Sequence, residues 1–251
     1  METENYFTIR IADINIRIAH RFPLVRLLCR EYITDDAPAD LTVSVTEEEI
    51  LAARSDYEDI QSDWELENLL VLLKILRAAH RFQAAPLHAA VIEYEGRGYA
   101  FAAPSGTGKS THIRLWREAF GDGVHVINGD KPLLKALPEE DGSYRIRAYG
   151  TPWCGKERQH KNSSVPLAGL CFLERGSGNA IRPCSEEEAV AAFLESIPLP
   201  VSAEEADFYL WFADKLLSCL PTYRLTCNQD IDAALTAYCG MNPAKDTAKE
   251  N

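Results

Sequence analysis

The stretch Ser105-Gly106-Thr107-Gly108-Lys109-Ser110-Thr111 sets two glycines, a lysine and four hydroxyl side chains in seven consecutive positions. Glycine at 106 and 108 frees the backbone to turn its N–H groups inward around an anion. Lys109 would bring a point charge to the outer phosphates of a polyphosphate, and Ser110 a hydroxyl to a bound Mg²⁺. A helix that starts at Ser110 adds its own unpaired N–H groups and dipole. Ala103 stands where such loops usually carry a leading glycine, at the passage from strand into turn. The bland alternative is a glycine-rich strand-to-helix turn that binds nothing.

Three further places could serve the same chemistry. Asp130 follows the apolar run Val124 to Ile127, where nucleotide-binding folds set a carboxylate near the metal; Asn128-Gly129-Asp130 is also plain turn chemistry. His88 opens an apolar strand. With Gly96 and Arg97 as the central residues of the hairpin turn, antiparallel pairing sets it opposite Ser105, at the mouth of the loop. A lone histidine at a strand start is otherwise structural. In the segment Gly150 to Arg158, GTPWCGKER, Lys156 and Arg158 could reach a phosphoryl group in transfer, or simply solvate a surface turn. Cys154 has no base assigned to it and reads as a packed thiol.

These residues need a scaffold. Residues 6–18 alternate apolar and polar side chains on both sides of Ala12-Asp13 and predict a hairpin; Leu41 to Val45 reads as a short strand, and Asp63 to Phe82 has helical spacing. His88 to Tyr94 and Tyr99 to Ala103 predict the hairpin that feeds the loop. Helix Ser110 to Phe120 and strand Val124 to Ile127 follow. Strands are then predicted at Tyr144 to Ala148, Leu167 to Leu173 and Thr222 to Cys227, with helices at Ser185 to Ser196, Ala203 to Cys219 and Ile231 to Tyr238. The runs Glu47-Glu48-Glu49 and Glu186-Glu187-Glu188 read as helix starts, where carboxylates meet the positive end of the dipole, in preference to metal sites. The expected division is a small β/α region over 1–85, a catalytic domain over 86–240 and a disordered tail over 241–251.

The bulk properties agree with a globular chain. Its 251 residues are 46% hydrophobic, enough for a sizeable core. A net charge of −12 argues against nucleic acid as a partner. The seven cysteines form no CxxC pair and read as reduced thiols. The acidic, polar start lacks the pattern of a secretory signal, and no apolar run is long enough to cross a bilayer, so the expected place is the cytoplasm, away from membranes.

With His88, the hairpin, SGTGKS and Asp130 in this order, the sequence resembles the catalytic domain of HPr kinase/phosphorylase and, more distantly, phosphoenolpyruvate carboxykinase. It looks nearest to uncharacterised kinase-like relatives through "NGDKPLL", "GTPWCGK" and "PLAGLCFLERG". The likeness covers approximately residues 85–200. It implies an α/β fold, a mixed-sheet P-loop kinase core with a small N-terminal β/α region. It implies ATP and Mg²⁺ as cofactors, with Ser105 to Thr111 on the nucleotide and Ser110 and Asp130 on the metal. The family pairs two aspartates, one acting as base on an acceptor serine; here Gly129 replaces one of them. An arginine signature that the family carries downstream finds no counterpart, which favours phosphorylation over phosphorolysis. The expected function is therefore a kinase that moves the γ-phosphoryl group of ATP to a hydroxyl, a serine, of a small protein or peptide, with His88, Asp130, Lys156 and Arg158 catalytic. The alternative is a nucleotide-binding regulatory or scaffold protein with little transfer. A carboxykinase-like enzyme on a small acid fits poorly, because no arginine cluster is evident. A homo-oligomer stays open.

Overall fold

The computed structural model describes residues 5–34 and 38–242. The chain opens with β1 (Asn5–Ile11) and β2 (Ile14–His20), an antiparallel hairpin whose turn residues Ala12 and Asp13 both have positive φ. Its period-two pattern buries Phe7, Ile9, Ile11, Ile14, Ile16 and Ile18. A short β3 (Leu41–Val43) joins β2 in parallel. Helices α1 (Pro23–Leu28), α2 (Glu47–Ala53) and α3 (Asp63–Ala78) complete this part, and Leu66, Val71 and Ile75 of α3 share its core. Each such fully buried aliphatic side chain contributes roughly 1.5–3 kcal/mol. Leu133, Tyr149 and Trp153 enter the same core, so this region and the rest of the chain are packed as one piece.

A nine-stranded mixed sheet carries the candidate site. Its members are β4 (Ala84–Pro86), β5 (Ala89–Tyr94), β6 (Arg97–Ala102), β7 (His125–Asn128), β8 (Leu133–Pro138), β9 (Tyr144–Tyr149), β10 (Ser164–Arg175), β11 (Ala180–Pro183) and β12 (Thr222–Cys227). The path runs β4-β8-β9-β10-β6-β5-β7, with β12 on β10 and β11 on β12. Strand β10 belongs to three ladders: its first residues pair antiparallel with β9, the remainder parallel with β6 and β12.

Both faces of β5 and β6 are covered, which is why they read as continuous apolar runs. Ala89, Val91, Ala100 and Ala102 face α5 (Glu186–Glu195) and α6 (Ala203–Cys219) through Phe193, Tyr209 and Phe212. Ala90, Ile92, Tyr99 and Phe101 face α4 (Lys109–Phe120) and α7 (Asp232–Met241), around the fully buried Trp116. The two glutamate runs open α2 and α5, as the sequence predicts, and there complete capping boxes, Thr46 with Glu49 and Ser185 with Glu188.

Several boundaries move. The β5–β6 turn is centred on Glu95 and Gly96, φ 52° and 72°, not on Gly96 and Arg97. Two left-handed residues match the twist of a tight hairpin, and Glu95 accepts that conformation here. The register therefore sets Ala89 opposite Ala102, and His88 lies just ahead of the strand, level with Ala103 instead of Ser105. Strand β4 straddles the expected boundary at 85. The expected tail starts too early: Met241 is buried as the last residue of α7, and Asn242 accepts hydrogen bonds from Arg97 and Tyr99 at 2.7 and 3.1 Å. Residues 243–251 lie outside the described residues.

Candidate functional site

Strand β6 runs straight into the glycine-rich turn. Thr107 N–H donates to the Pro104 carbonyl at 3.2 Å, Gly106 and Gly108 take φ of 78° and 127°, and α4 begins at Lys109. Nothing stands within 4 Å of a Cβ built on either glycine, so it is backbone conformation and not crowding that requires them. Ala103 needs no glycine: its methyl packs in the core beside Ile113 and Leu115. Its carbonyl accepts a hydrogen bond from Lys109 Nζ at 2.9 Å. The lysine is almost wholly buried, folded back under its own loop.

The ammonium of Lys109 also meets His88 Nε2 at 3.0 Å, and the same Nε2 lies 3.0 Å from Asp130 Oδ1. Three groups separated by 21 residues and more thus converge at one point. His88 is fixed by its backbone, since its N–H donates to the Ser196 carbonyl at 2.7 Å, where α5 ends, and the Leu87 N–H to the Pro132 carbonyl at 3.2 Å. Asp130 is fixed by Asn128, a fully buried residue at the end of β7. Asn128 Oδ1 accepts from the N–H groups of Asp130 and Lys131 at 2.8 and 2.7 Å, while its Nδ2 donates to the Thr151 carbonyl and Oγ1, both at 3.0 Å. An Asx turn thus clamps the aspartate to the segment 150–163.

That segment folds back on β7. Gly129 N–H donates to the Gln159 carbonyl and Lys161 N–H to the Ile127 carbonyl, at 3.0 and 3.1 Å. The Cys154 carbonyl comes so close that a Cβ on Gly129 would stand 2.7 Å from it. A second aspartate at 129 has no room in this backbone. The Trp153 indole donates to Asn68 of α3, and Tyr32 meets His160, which anchors the segment to the N-terminal part.

Burial alone would raise the Asp130 carboxyl; the His88 hydrogen bond and the charges of Lys131, His88 and Lys109 outweigh it and hold it below the usual carboxylate range. Burial lowers the ammonium groups of Lys109 and Lys131, and the charge of Asp130 opposes this in both. Burial and the nearby Asp130 charge push the Cys154 thiol up to about 11, so it stays protonated at neutral pH.

His88, Lys109, Ser110, Asp130, Lys131 and Lys156 line one cleft of about 620 Å³. Ser105, Gly106, Gly108 and Thr111 also contribute to it. Thr107 opens instead onto two neighbouring cavities. Arg158 does not line the cleft; it sits exposed on the turn 155–158 with φ 50°. Lys156 is exposed at the rim. The larger neighbouring cavity, about 1020 Å³, shares His88, Ser105 and Gly106 with the cleft and runs along α5. Among the described residues no group of three or more His, Cys, Asp or Glu side chains could form a protein-only metal cage.

Three residues join the site without a signal that the motif reading used. Lys131 Nζ lies 3.5 Å from Asp130 Oδ2. Asn128 could have been found as the head of an Asx turn. Arg175, at the end of β10, donates through Nε to the Thr107 carbonyl at 3.2 Å and through its other end to the Gly106 carbonyl, gripping the outside of the loop.

The class these observations define is a mixed α/β fold with a glycine-rich, lysine-bearing loop between strand and helix. The chain belongs to the family described as SynChlorMet cassette protein ScmC, whose family model matches residues 57–207. That span holds every residue that the sequence analysis proposed for the site. No curated protein matches the chain. Among solved structures, the Hpr(Ser) kinase/phosphatase from Coxiella burnetii is similar at 8% identity and a TM-score of 0.35, over 65% of this chain and 98% of that chain. No helix among the described residues is long and apolar enough to cross a membrane.

Proposed function

We propose that this chain is an ATP- and Mg²⁺-dependent kinase that transfers the γ-phosphoryl group to a serine hydroxyl of a small protein or peptide. The observation that carries the reading is the meeting of Lys109, His88 and Asp130 at 3.0 Å around a single imidazole nitrogen, at the foot of the glycine-rich loop. A loop lysine with no anion to hold would not require a base and a carboxylate at its tip.

The residues have distinct tasks. Loop N–H groups and Lys109 hold the phosphates. A hydroxyl and one carboxylate, Ser110 and Asp130, suit Mg²⁺, which keeps few protein ligands and takes the remainder from water and substrate phosphates. When bound, the ion neutralises charge on the β- and γ-phosphates. With its proton on Nδ1, a neutral His88 presents the Nε2 lone pair to Lys109. Once Lys109 turns to a phosphate, that lone pair is free for the serine O–H. The serine oxygen bonds to the γ-phosphorus, the bond from that phosphorus to the bridging oxygen breaks, and ADP leaves with the electron pair. The proton passes to His88, and the resulting imidazolium is matched by Asp130 Oδ1 at 3.0 Å. The acceptor enters along the cavity beside α5, which His88 lines and Asp130 does not.

A second reading, a nucleotide-binding regulatory protein, draws support from Gly129, whose seat under the Cys154 carbonyl leaves the cleft one carboxylate from this turn. One experiment separates the two. Purified protein with Mg²⁺ and γ-labelled ATP is incubated in extract of its own host, beside Lys109→Ala. Label on one small protein or peptide, absent with Lys109→Ala, is expected. ATP binding without any labelled acceptor would favour the regulatory reading, and unaltered ATP affinity in Lys109→Ala would sink the loop assignment.

A further inference from the structure

A second, smaller pocket of about 360 Å³ meets the cleft over Gly106, Gly108 and Thr111. Its walls differ in kind. The cleft gathers Lys109, Lys131, Lys156 and Asp130; the smaller pocket has no carboxylate and is lined by Leu115, Leu173, His112, Cys227 and Gln229. A triphosphate whose outer end lies at Lys109 and His88 follows the loop inward and leaves it past Thr111, where this pocket begins. Arg175 lies on the loop carbonyls at the junction.

His112 supplies the independent observation. It is 2% exposed, and its Nε2 accepts a hydrogen bond from Trp116 Nε1 at 3.1 Å. The indole nitrogen is a donor only, so the imidazole proton must sit on Nδ1. That Nδ1 has no hydrogen-bond partner. Buried donors are almost always satisfied, and this one, closed off from solvent on a residue that walls the pocket, is unpaired. The Gln229 side-chain amide, exposed at the other wall, also has no partner among the described residues and offers both a donor and an acceptor.

We infer that this pocket holds the nucleoside end of the triphosphate, as a purine. His112 Nδ1–H meets a ring nitrogen and Gln229 the amino-bearing edge, while Leu115 and Leu173 cover the base. The size is in the range of pockets that enclose small ligands, and apolar walls with a few placed polar groups are the usual make-up of such sites. The inference rests on the proposed triphosphate site and goes beyond it by saying which residues read the base.

The test titrates the full chain with Mg²⁺-ATP and, separately, with Mg²⁺-tripolyphosphate. ATP is expected to bind at least about tenfold more tightly, and Gln229→Ala to weaken ATP by about 2- to 13-fold, the range of one lost hydrogen bond, with tripolyphosphate unchanged. His112→Phe should do the same. Because it also strands the Trp116 indole, the exposed Gln229→Ala is the decisive variant. Equal affinity for ATP and tripolyphosphate in the wild type overturns the base pocket and leaves the phosphate loop standing. Equal losses for both ligands in Gln229→Ala overturn it as well. Failure of both ligands to bind defeats the kinase reading, and this inference with it.

Discussion

The inner wall of the cleft and its rim carry similar charges in different surroundings. Inside, Lys109, His88 and Asp130 are bound to one another and to buried backbone: the Ala103 carbonyl, the Ser196 carbonyl and the Asn128 side chain. At the rim, Lys156 and Arg158 stand on an exposed turn with no ion pair among the described residues. Preorganised groups act at the reacting atoms because their geometry costs nothing at the moment of reaction. Free cations can come to a ligand only by giving up side-chain entropy, and act weakly until something covers them. The comparison predicts a steep fall of effect from wall to rim.

The largest effect should come from Asp130→Asn. An amide neither holds Mg²⁺ well nor matches an imidazolium, so transfer of labelled phosphate should fall by about 10³-fold or more. Full activity in this variant would refute the mechanism. His88→Ala should slow transfer by on the order of 10²-fold while ATP affinity measured by calorimetry stays within a few fold. If ATP affinity collapses too, the histidine holds the loop and is not the base.

Next comes Gly129→Ala, which tests the joint between wall and rim. The new Cβ would press on the Cys154 carbonyl at 2.7 Å, a backbone atom that cannot turn aside. A loss of about 1–3 kcal/mol follows, read as a melting temperature lower by roughly 2–10 °C. An unchanged melting temperature would show that the segment 150–163 yields easily, and the wall would then be less fixed than described. The smallest effect belongs to the rim itself. Lys156→Ala should lower turnover by about 3- to 10-fold with little change in ATP affinity, and Arg158→Ala should be near neutral. Equal large losses from both would mean that the turn closes over the substrate and that wall and rim act as one.

How much of this could be read in the sequence follows the same division. The glycine-rich loop is local: seven neighbouring residues and a strand-to-helix change declare it. Asp130 was legible as the acidic residue that follows an apolar strand. His88 was found through a register two residues off, because a turn with glutamate in a left-handed conformation runs against the usual preference for glycine. It reaches Lys109 even so, since a histidine ahead of the strand has a side chain long enough to absorb the shift. The remainder is tertiary. That Asn128 ties a turn to residues more than twenty positions on, that Cys154 lies over Gly129, and that Arg175 grips the loop from a strand nearly seventy residues away leave no periodicity to detect. The short strands β4, β8 and β11 escaped for a related reason: with prolines and charged residues among so few positions, they take their pairing from neighbours in the sheet and not from their own pattern.

Strand β10 has a consequence for how the molecule is made. It is the centre of the sheet and the source of Arg175, yet its parallel partners lie about seventy residues before it, in β6, and about fifty after it, in β12. Such distant pairings pay loop-closure entropy before they are rewarded, so assembly of the sheet should be slow, and late in order of synthesis. The N-terminal hairpin can form as soon as it leaves the ribosome. The glycine-rich loop cannot take its shape until the chain has grown past Cys227, because only then does β10 have both neighbours. Chains halted after Leu173 should therefore emerge with the glycine-rich motif complete in sequence and the loop unformed, while exposing the apolar faces of β5 and β6 to any chaperone at hand.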